Sequence, residues 1–189
     1  MFPRTREDIA AVRLRDPAAR GAFEIWLTYS GMHAVWGYRF SHWLWTARAF
    51  FLARVVSQYV RFLTGVEIHP AAELGRRVII DHGSGVVIGE TAIVGDDVLI
   101  YHGVTLGGTS AEGGKRHPTL GSDVVVGAGA AILGNITVGS GSVVGAGAVV
   151  VEDAPEGSLL VGVPAVARPK RGTKAPKDCF NYTDPAIYI

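Results

Sequence analysis

The chain has 189 residues, 48% of them hydrophobic, with 18 basic against 17 acidic side chains and a single cysteine, Cys179. That length supports one domain with a sizeable core, or one core and a small appendage, and the apolar content excludes a disordered or fibrous chain. A net charge of +1 argues against a dedicated nucleic-acid binder. One cysteine excludes an internal disulfide framework and fits a reducing cytosol.

The N-terminal stretch MFPRTREDIAAVRLRDP is charged from its fourth residue and lacks the apolar core of a secretory signal. From about residue 5 to 63 the chain reads as helix. Asp16-Pro17 predicts a helix start, with a side-chain acceptor at the cap and a proline suited to the first turn. Ser30-Gly31 is expected to interrupt the helical pattern, and Thr64-Gly65 to end it. The most hydrophobic run, 43–63, carries Arg48, Arg54 and Arg61, so it reads as a buried or interface helix and not as a membrane span. Trp26, Trp36, Phe40, Trp43, Phe51 and Phe62 supply large apolar faces, part of which is expected to pack against another subunit.

After Gly65 the helical period disappears. Ile68, Leu74 and Ile80 are six apart, as are Ile88, Val94, Ile100 and Leu106, and then Leu120, Val126, Ile132, Val138, Val144 and Val150. Two residues before most of them stands another small or aliphatic residue, such as Val86, Ala92, Val98, Val104, Val124 or Ala130. A period of six is neither helical nor that of an alternating strand. It is the mark of a hexapeptide β-helix, in which each hexad makes one short strand and one corner, and the aliphatic residue stacks inside on its counterpart in the next coil. The helical region is expected to cap one end of this solenoid and the segment after Pro155 the other. The division expected is therefore 1–65 helical, 66–168 β-helix and 169–189 a basic, proline-containing tail.

The register fails twice. Two extra residues lie between Ile80 and Ile88, in VIIDHGSGVVIG, and eight between Leu106 and Leu120, in GGTSAEGGKRHPTL. Solenoids place such insertions on their surface, often on the binding face. His82 falls in the first and His117 in the second. A histidine near its ordinary pKa is a natural general base at neutral pH, and a nearby carboxylate fixes its tautomer and stabilises its cation. Asp81 and Glu67 are the candidate carboxylates. Arg116 offers a fork suited to a substrate carboxylate, and Gly107 and Gly108 would allow a ligand close to the backbone. By spacing alone, Asp16 is a helix cap, Asp81 a solvated corner, and Gly108, Thr109, Ala128 and Ala146 ordinary corner residues. His69 reads as structural, and His102 as a surface or interface residue.

The run EIHPAAELGRRVIIDHGSGVVIGETAIVGDDV, followed by VTLGGTSAEGGKRHPTLG and GAGAAILGNITVGSGSVVGAGAVV, resembles the serine O-acetyltransferase family of hexapeptide acyltransferases, as do the helical RDPAARGAFEIWLTYSGMHAVWGYRFSHWLW and the closing GVPAVARP. The resemblance covers nearly the whole chain and implies a left-handed parallel β-helix behind an N-terminal α-helical region, α+β by content. It implies transfer of acetyl from acetyl-CoA, used as co-substrate without a metal, to the hydroxyl of L-serine, for cysteine biosynthesis in the cytoplasm. Within it His82 is the general base. Glu67 is its partner, one methylene longer than the Asp usual in the family. Asp16 and Asp81 hold the substrate amino group, Arg116 the carboxylate, and His117 contacts the substrate and helps stabilise the oxyanion. Gly108, Thr109, Ala128 and Ala146 line the CoA arm. The resemblance further implies a homotrimer, with a dimer of trimers as the alternative, feedback inhibition by L-cysteine, and docking of O-acetylserine sulfhydrylase through Ile189. Neither nucleic acid nor membrane is implied as a partner. Three rivals remain at this point: a hexapeptide acetyltransferase with a sugar or other small-molecule acceptor, a zinc-dependent β-helix carbonic anhydrase drafting His82, His102 and His117, and a non-enzymatic scaffold.

Overall fold

The computed structural model of the chain describes residues 3–169. Four helices come first: α1 (Pro3–Arg15), α2 (Ala22–Thr28), α3 (Ser30–Thr46) and α4 (Phe50–Thr64). The last ends where the sequence predicts. Gly65 takes the left-handed conformation (φ 73°), and its N–H donates to the Arg61 carbonyl at 2.8 Å, which closes the final turn.

Two helix boundaries differ from expectation. Asp16-Pro17 does not start a helix, because the Asp16 side chain spends its cap locally. Asp16 Oδ1 accepts the Ala18 N–H at 2.7 Å and forms a turn. The next helix begins only after Gly21, whose extended backbone (φ −172°, ψ 163°) offers no side-chain cap. The break expected at Ser30-Gly31 falls instead on Tyr29 (φ −86°, ψ 95°), and Ser30 and Gly31 are the first residues of α3. Gly31 is set by packing. A Cβ there would lie 1.9 Å from the Ile80 carbonyl oxygen, so the start of α3 rests directly on backbone of the solenoid.

Charged pairs hold the helices in place. Asp8, almost fully buried, accepts two hydrogen bonds from the Arg39 guanidinium (2.6 and 2.9 Å) and one from Trp36 Nε1 at 2.9 Å, which ties α1 to α3. Arg77 bridges Glu7 of α1 and Asp97 of the solenoid at 2.8 and 2.6 Å, and Arg15 reaches the same Asp97 at 3.1 Å. Burial of these groups is offset only by such complete pairing. Among the described residues, no helix is long and apolar enough to cross a membrane. Phe40, Trp43, Phe51 and Phe62 of α3 and α4 stand exposed.

The strands are short: β1 (Glu67–Ile68), β2 (Glu73–Leu74), β3 (Ile79–Ile80), β4 (Val87–Ile88), β5 (Ile93–Val94), β6 (Leu99–Ile100) and β7 (Thr105–Gly107). After the long insertion come β8 (Thr119–Leu120), β9 (Val125–Val126), β10 (Ala131–Leu133), β11 (Thr137–Val138), β12 (Val143–Val144), β13 (Val149–Val150), β14 (Ser158–Gly162) and β15 (Ala165–Pro169). From β1 to β10 each strand pairs in parallel with the strand three later, so three strands make one coil. The first sheet is β1-β4-β7-β10-β13, the second β2-β5-β8-β11, and the third β3-β6-β9-β12-β14-β15. This is a three-sided parallel β-solenoid. Only β15 runs antiparallel, folding back on β14 to close the far end.

The register reproduces the hexads. Ile68, Ile88, Leu106, Ile132 and Val150 are Cα partners up the first sheet. Ile80, Ile100, Val126, Val144 and Leu160 are partners up the third. All ten are buried, and each contributes about 1.5–3 kcal/mol relative to exposure. The buried polar members of the neighbouring column, Ser142 and Ser158, stay satisfied: the Ser142 hydroxyl donates to the Pro155 carbonyl at 3.2 Å and accepts the Ser158 N–H at 3.1 Å, and the Ser158 hydroxyl donates to the same carbonyl at 2.7 Å.

Candidate active site

Both interruptions of the hexad emerge at corners of the prism. The first lies between the third and first sheets, where residues 81–86 replace a corner that elsewhere takes four residues, such as 101–104. His82 adopts the left-handed conformation there (φ 59°), which a non-glycine residue holds only when its surroundings dictate it. The Ser30 hydroxyl donates to the His82 carbonyl at 3.3 Å, and the Ser84 N–H donates to it at 3.0 Å. The imidazole is thereby thrown outward and is 73% exposed, with Nε2 3.8 Å from Asp81 Oδ2 and its ring edge-on to His102 at 5.9 Å.

The turn after α1 approaches this same corner. Asp16, Tyr29, Ser30, Asp81 and His82 line one cavity of about 320 Å³, and a smaller one of about 110 Å³ adjoins it between Asp16, Asp81 and Arg15. The Tyr29 hydroxyl donates to Asp16 Oδ2 at 2.5 Å. A hollow with two carboxylates and an exposed imidazole suits a small cation that carries a transferable proton. Tyr29 was not legible as a site residue. Its one signal in the sequence is its position in the break between two helices.

Glu67 stands at the same corner, at the start of β1, and its N–H donates to the Val86 carbonyl at 2.9 Å. Its carboxylate meets Arg61 Nε of α4 at 3.2 Å, and the carboxylate beside His82 is that of Asp81.

The second interruption lies between the first and second sheets, one prism face away from His82. Here Thr91 organises the base of the loop. Its hydroxyl oxygen accepts the N–H groups of Arg116 (3.0 Å) and His117 (3.1 Å) and sits 2.9 Å from His117 Nδ1. The Thr91 N–H also points at Nδ1, at 3.2 Å. An N–H can only donate, so Nδ1 is an acceptor and the ring proton belongs on Nε2. Burial, aided by the Arg116 cation, pushes the His117 pKa down and keeps the ring neutral. The ring packs directly against Gly89, where a Cβ would come within 2.1 Å of Nε2. Arg116 donates to Glu90 Oε2 at 2.6 Å. Lys115 Nζ donates to the carbonyls of Thr91, His117 and Pro118 at 2.7, 2.6 and 3.2 Å, an ammonium caged by backbone oxygens. Glu90, Thr91 and Lys115 were also missed, since only the fold shows that GETA and GGKRHP share one corner.

The residues expected at the CoA arm divide in the same way. Gly108 and Thr109 lie on the first–second corner, with Gly108 against the Arg116 side chain. Ala128 and Ala146 stack on the third–first corner, where the Gly147 N–H donates to the Ala128 carbonyl at 2.8 Å. His69, expected to be structural, uses Nδ1 to accept the Ala71 N–H at 3.0 Å, and burial pushes its pKa down to about 4. Among the described residues, no group of three or more His, Cys, Asp or Glu is placed to hold a metal. Ile189 and the rest of the expected tail from residue 170 lie outside the described residues.

A coiled, three-sided solenoid with site residues on its corners defines the class of hexapeptide-repeat transferases, and the profile described as bacterial transferase hexapeptide (six repeats) matches residues 117–151. A serine acetyltransferase of Mycobacterium tuberculosis is 58% identical over 164 residues, which covers 87% of this chain and 72% of that protein. Solved serine acetyltransferases superpose closely. One in complex with cysteine has TM-score 0.88 at 43% identity (94% of this chain, 68% of that one). One from Neisseria gonorrhoeae in complex with serine has TM-score 0.83 at 44% identity (86% and 67%). One in complex with CoA has TM-score 0.83 at 43% identity (87% and 68%). The chain belongs to the serine acetyltransferase family.

Proposed function

We propose that this chain transfers the acetyl group of acetyl-CoA to the hydroxyl of L-serine, giving O-acetyl-L-serine and CoA. The observation that carries the reading is the cavity on which Asp16, Asp81 and His82 converge. Two carboxylates suit the serine ammonium, and the exposed imidazole beside them suits its hydroxyl. His82 takes the hydroxyl proton as the oxygen attacks the thioester carbonyl. Asp81, whose Oδ2 lies 3.8 Å from His82 Nε2, stabilises the imidazolium, joined by Glu67 at the same corner once its carboxylate turns from Arg61, and the Nε2–H of neutral His117 donates to the oxyanion. The tetrahedral intermediate then collapses, the C–S bond breaks, and His82 returns its proton to the departing thiolate. General-base assistance of this kind is worth about 10²–10⁴ in rate, and holding both reactants together supplies on the order of 7–11 kcal/mol more.

The reading includes a left-handed coil, a division into a helical region 1–65, an acetyltransferase domain 66–168 and a tail from 169, and a homotrimer. The trimer is supported by the split site. Arg116 and His117 sit one prism face away from Asp16, Asp81 and His82, so a serine clamped at both ends requires the third–first corner of one protomer against the first–second corner of the next. The same junction would place Ala128 and Ala146 opposite Gly108 and Thr109 as walls for the CoA arm. L-Cysteine, which carries the same ammonium and carboxylate as serine, fits the same clamp as an inhibitor.

Release of CoA thiol, measured with L-serine and with a panel of sugars, tests the reading. Saturable, serine-dependent release is expected, and turnover with a sugar but not with serine overturns it. A second expectation concerns Lys115→Met. Losing the caged ammonium frees three carbonyls and loosens the loop segment that carries Arg116 and His117. The KM for serine is expected to rise roughly 3–10-fold, since a hydrogen bond to a charged group is worth about 1.5–3 kcal/mol and solvent replaces part of it. An unchanged KM in steady-state kinetics would show that the cage does not position the loop.

A further inference from the structure

Asp16 sits on an exposed turn between two helices, where no regular element holds its carboxylate. Two donors hold it instead. Oδ1 accepts the Ala18 N–H at 2.7 Å, and Oδ2 accepts the Tyr29 hydroxyl at 2.5 Å. The backbone hydrogen bond at Oδ1 is local and leaves the carboxylate free to swing about it. The Tyr29 bond spans thirteen residues and fixes the second oxygen from another residue that lines the cavity.

Tyr29 is itself firmly placed. Its N–H donates to the Ile25 carbonyl at 3.3 Å, closing α2, and its own carbonyl accepts the N–H groups of Met32 and His33 at 3.0 and 3.1 Å, opening α3. Both helix ends therefore pin one residue. Burial, with Asp16 beside it, raises the phenol pKa well above its ordinary value, so the hydroxyl stays protonated and remains a donor throughout the working range.

We infer that Tyr29 is a positioning residue for the substrate ammonium: its hydroxyl locks the Asp16 carboxylate in the orientation that faces Asp81 across the cavity. The inference rests on the reading of Asp16 as an ammonium acceptor. It explains why the helical pattern breaks at Tyr29. The break aims a phenol at the turn that follows α1, so the helical region completes the wall of a site whose base belongs to the solenoid.

Steady-state kinetics of the full chain with Tyr29→Phe, Asp16→Asn and the double variant test it. Tyr29→Phe keeps the ring and removes only the donor. It is expected to raise the KM for L-serine about 5–20-fold, less than the full worth of a hydrogen bond to a charged group because the Ala18 N–H still holds Oδ1. The kcat should stay within about twofold and the KM for acetyl-CoA should be unchanged, whereas a general structural role would move all three. Inhibition by L-cysteine should weaken by the same factor. If Tyr29 acts through Asp16, the double variant has the serine KM of Asp16→Asn alone. Tyr29→His, which keeps a shorter ring N–H donor, should give an intermediate KM and supplies the readout should the phenylalanine variant not fold. A serine KM within twofold of wild type, or additive losses in the double variant, overturns the inference. Failure of Asp16→Asn to raise the serine KM would instead overturn the ammonium-binding reading beneath it.

Discussion

His82→Asn should lower kcat for serine acetylation about 10²–10⁴-fold with no change in thermal stability. The substitution is chosen from the backbone. His82 holds φ 59°, a conformation that asparagine tolerates better than most residues, so the corner that carries Asp81 and Ser84 keeps its shape. The imidazole is largely exposed and packs in no core, so its loss leaves no cavity. What disappears is the group that can accept the serine proton, since an amide does not take one at neutral pH. The KM for acetyl-CoA should stay within about twofold, because no residue expected at the CoA arm depends on the ring. A kcat within fivefold of wild type would remove His82 from the mechanism as its base.

Gly31→Ala should produce the largest loss of stability of any single methyl addition in the helical region. Alanine is the better helix former by about 1 kcal/mol, so propensity alone predicts a gain. Packing opposes it. The added carbon would lie 1.9 Å from the Ile80 carbonyl oxygen and 2.8 Å from its carbon, and both belong to backbone fixed in the third sheet. Relief requires α3 to move off the solenoid by more than an ångström. Overpacking of this severity costs on the order of 3 kcal/mol, which for a chain of this size is about 6–12 °C in Tm. Because Tyr29 and Ser30 open α3 and line the cavity, the serine KM should rise as well. A melting temperature equal to or above that of wild type would mean that α3 does not rest on Ile80.

The solenoid was legible in the sequence to the level of individual core residues. Its period of six arises from the geometry of one strand and one corner, and a narrow interior accepts only aliphatic side chains in a fixed register. Ile68, Ile88, Leu106, Ile132 and Val150 therefore announce themselves without any long-range information. The two interruptions were legible for the same reason, since a departure from a strict period is visible where a departure from an irregular pattern is not. Helix ends were less legible. Asp16 satisfies its own turn, and Gly31 is a glycine because of a carbonyl that lies 49 residues further along. Ion pairs such as Asp8–Arg39 and Arg61–Glu67 join residues whose types are ordinary at both positions, so no local pattern marks them.

By itself the sequence determined the repeat, the core, the places where the repeat opens, and the resemblance that names serine as acceptor. The division of the site was decided only by the tertiary structure. Three sheets meet at three corners, and chain order does not say which corner an insertion occupies until the strands are paired. That pairing sets Asp16 beside His82 through a helix-to-solenoid contact, gathers Glu90, Thr91 and Lys115 beneath Arg116 and His117, and separates the two groups by a prism face. The physical reason is that a coil brings together residues about one turn apart, while a residue on an adjacent corner, however near in sequence, points away in space.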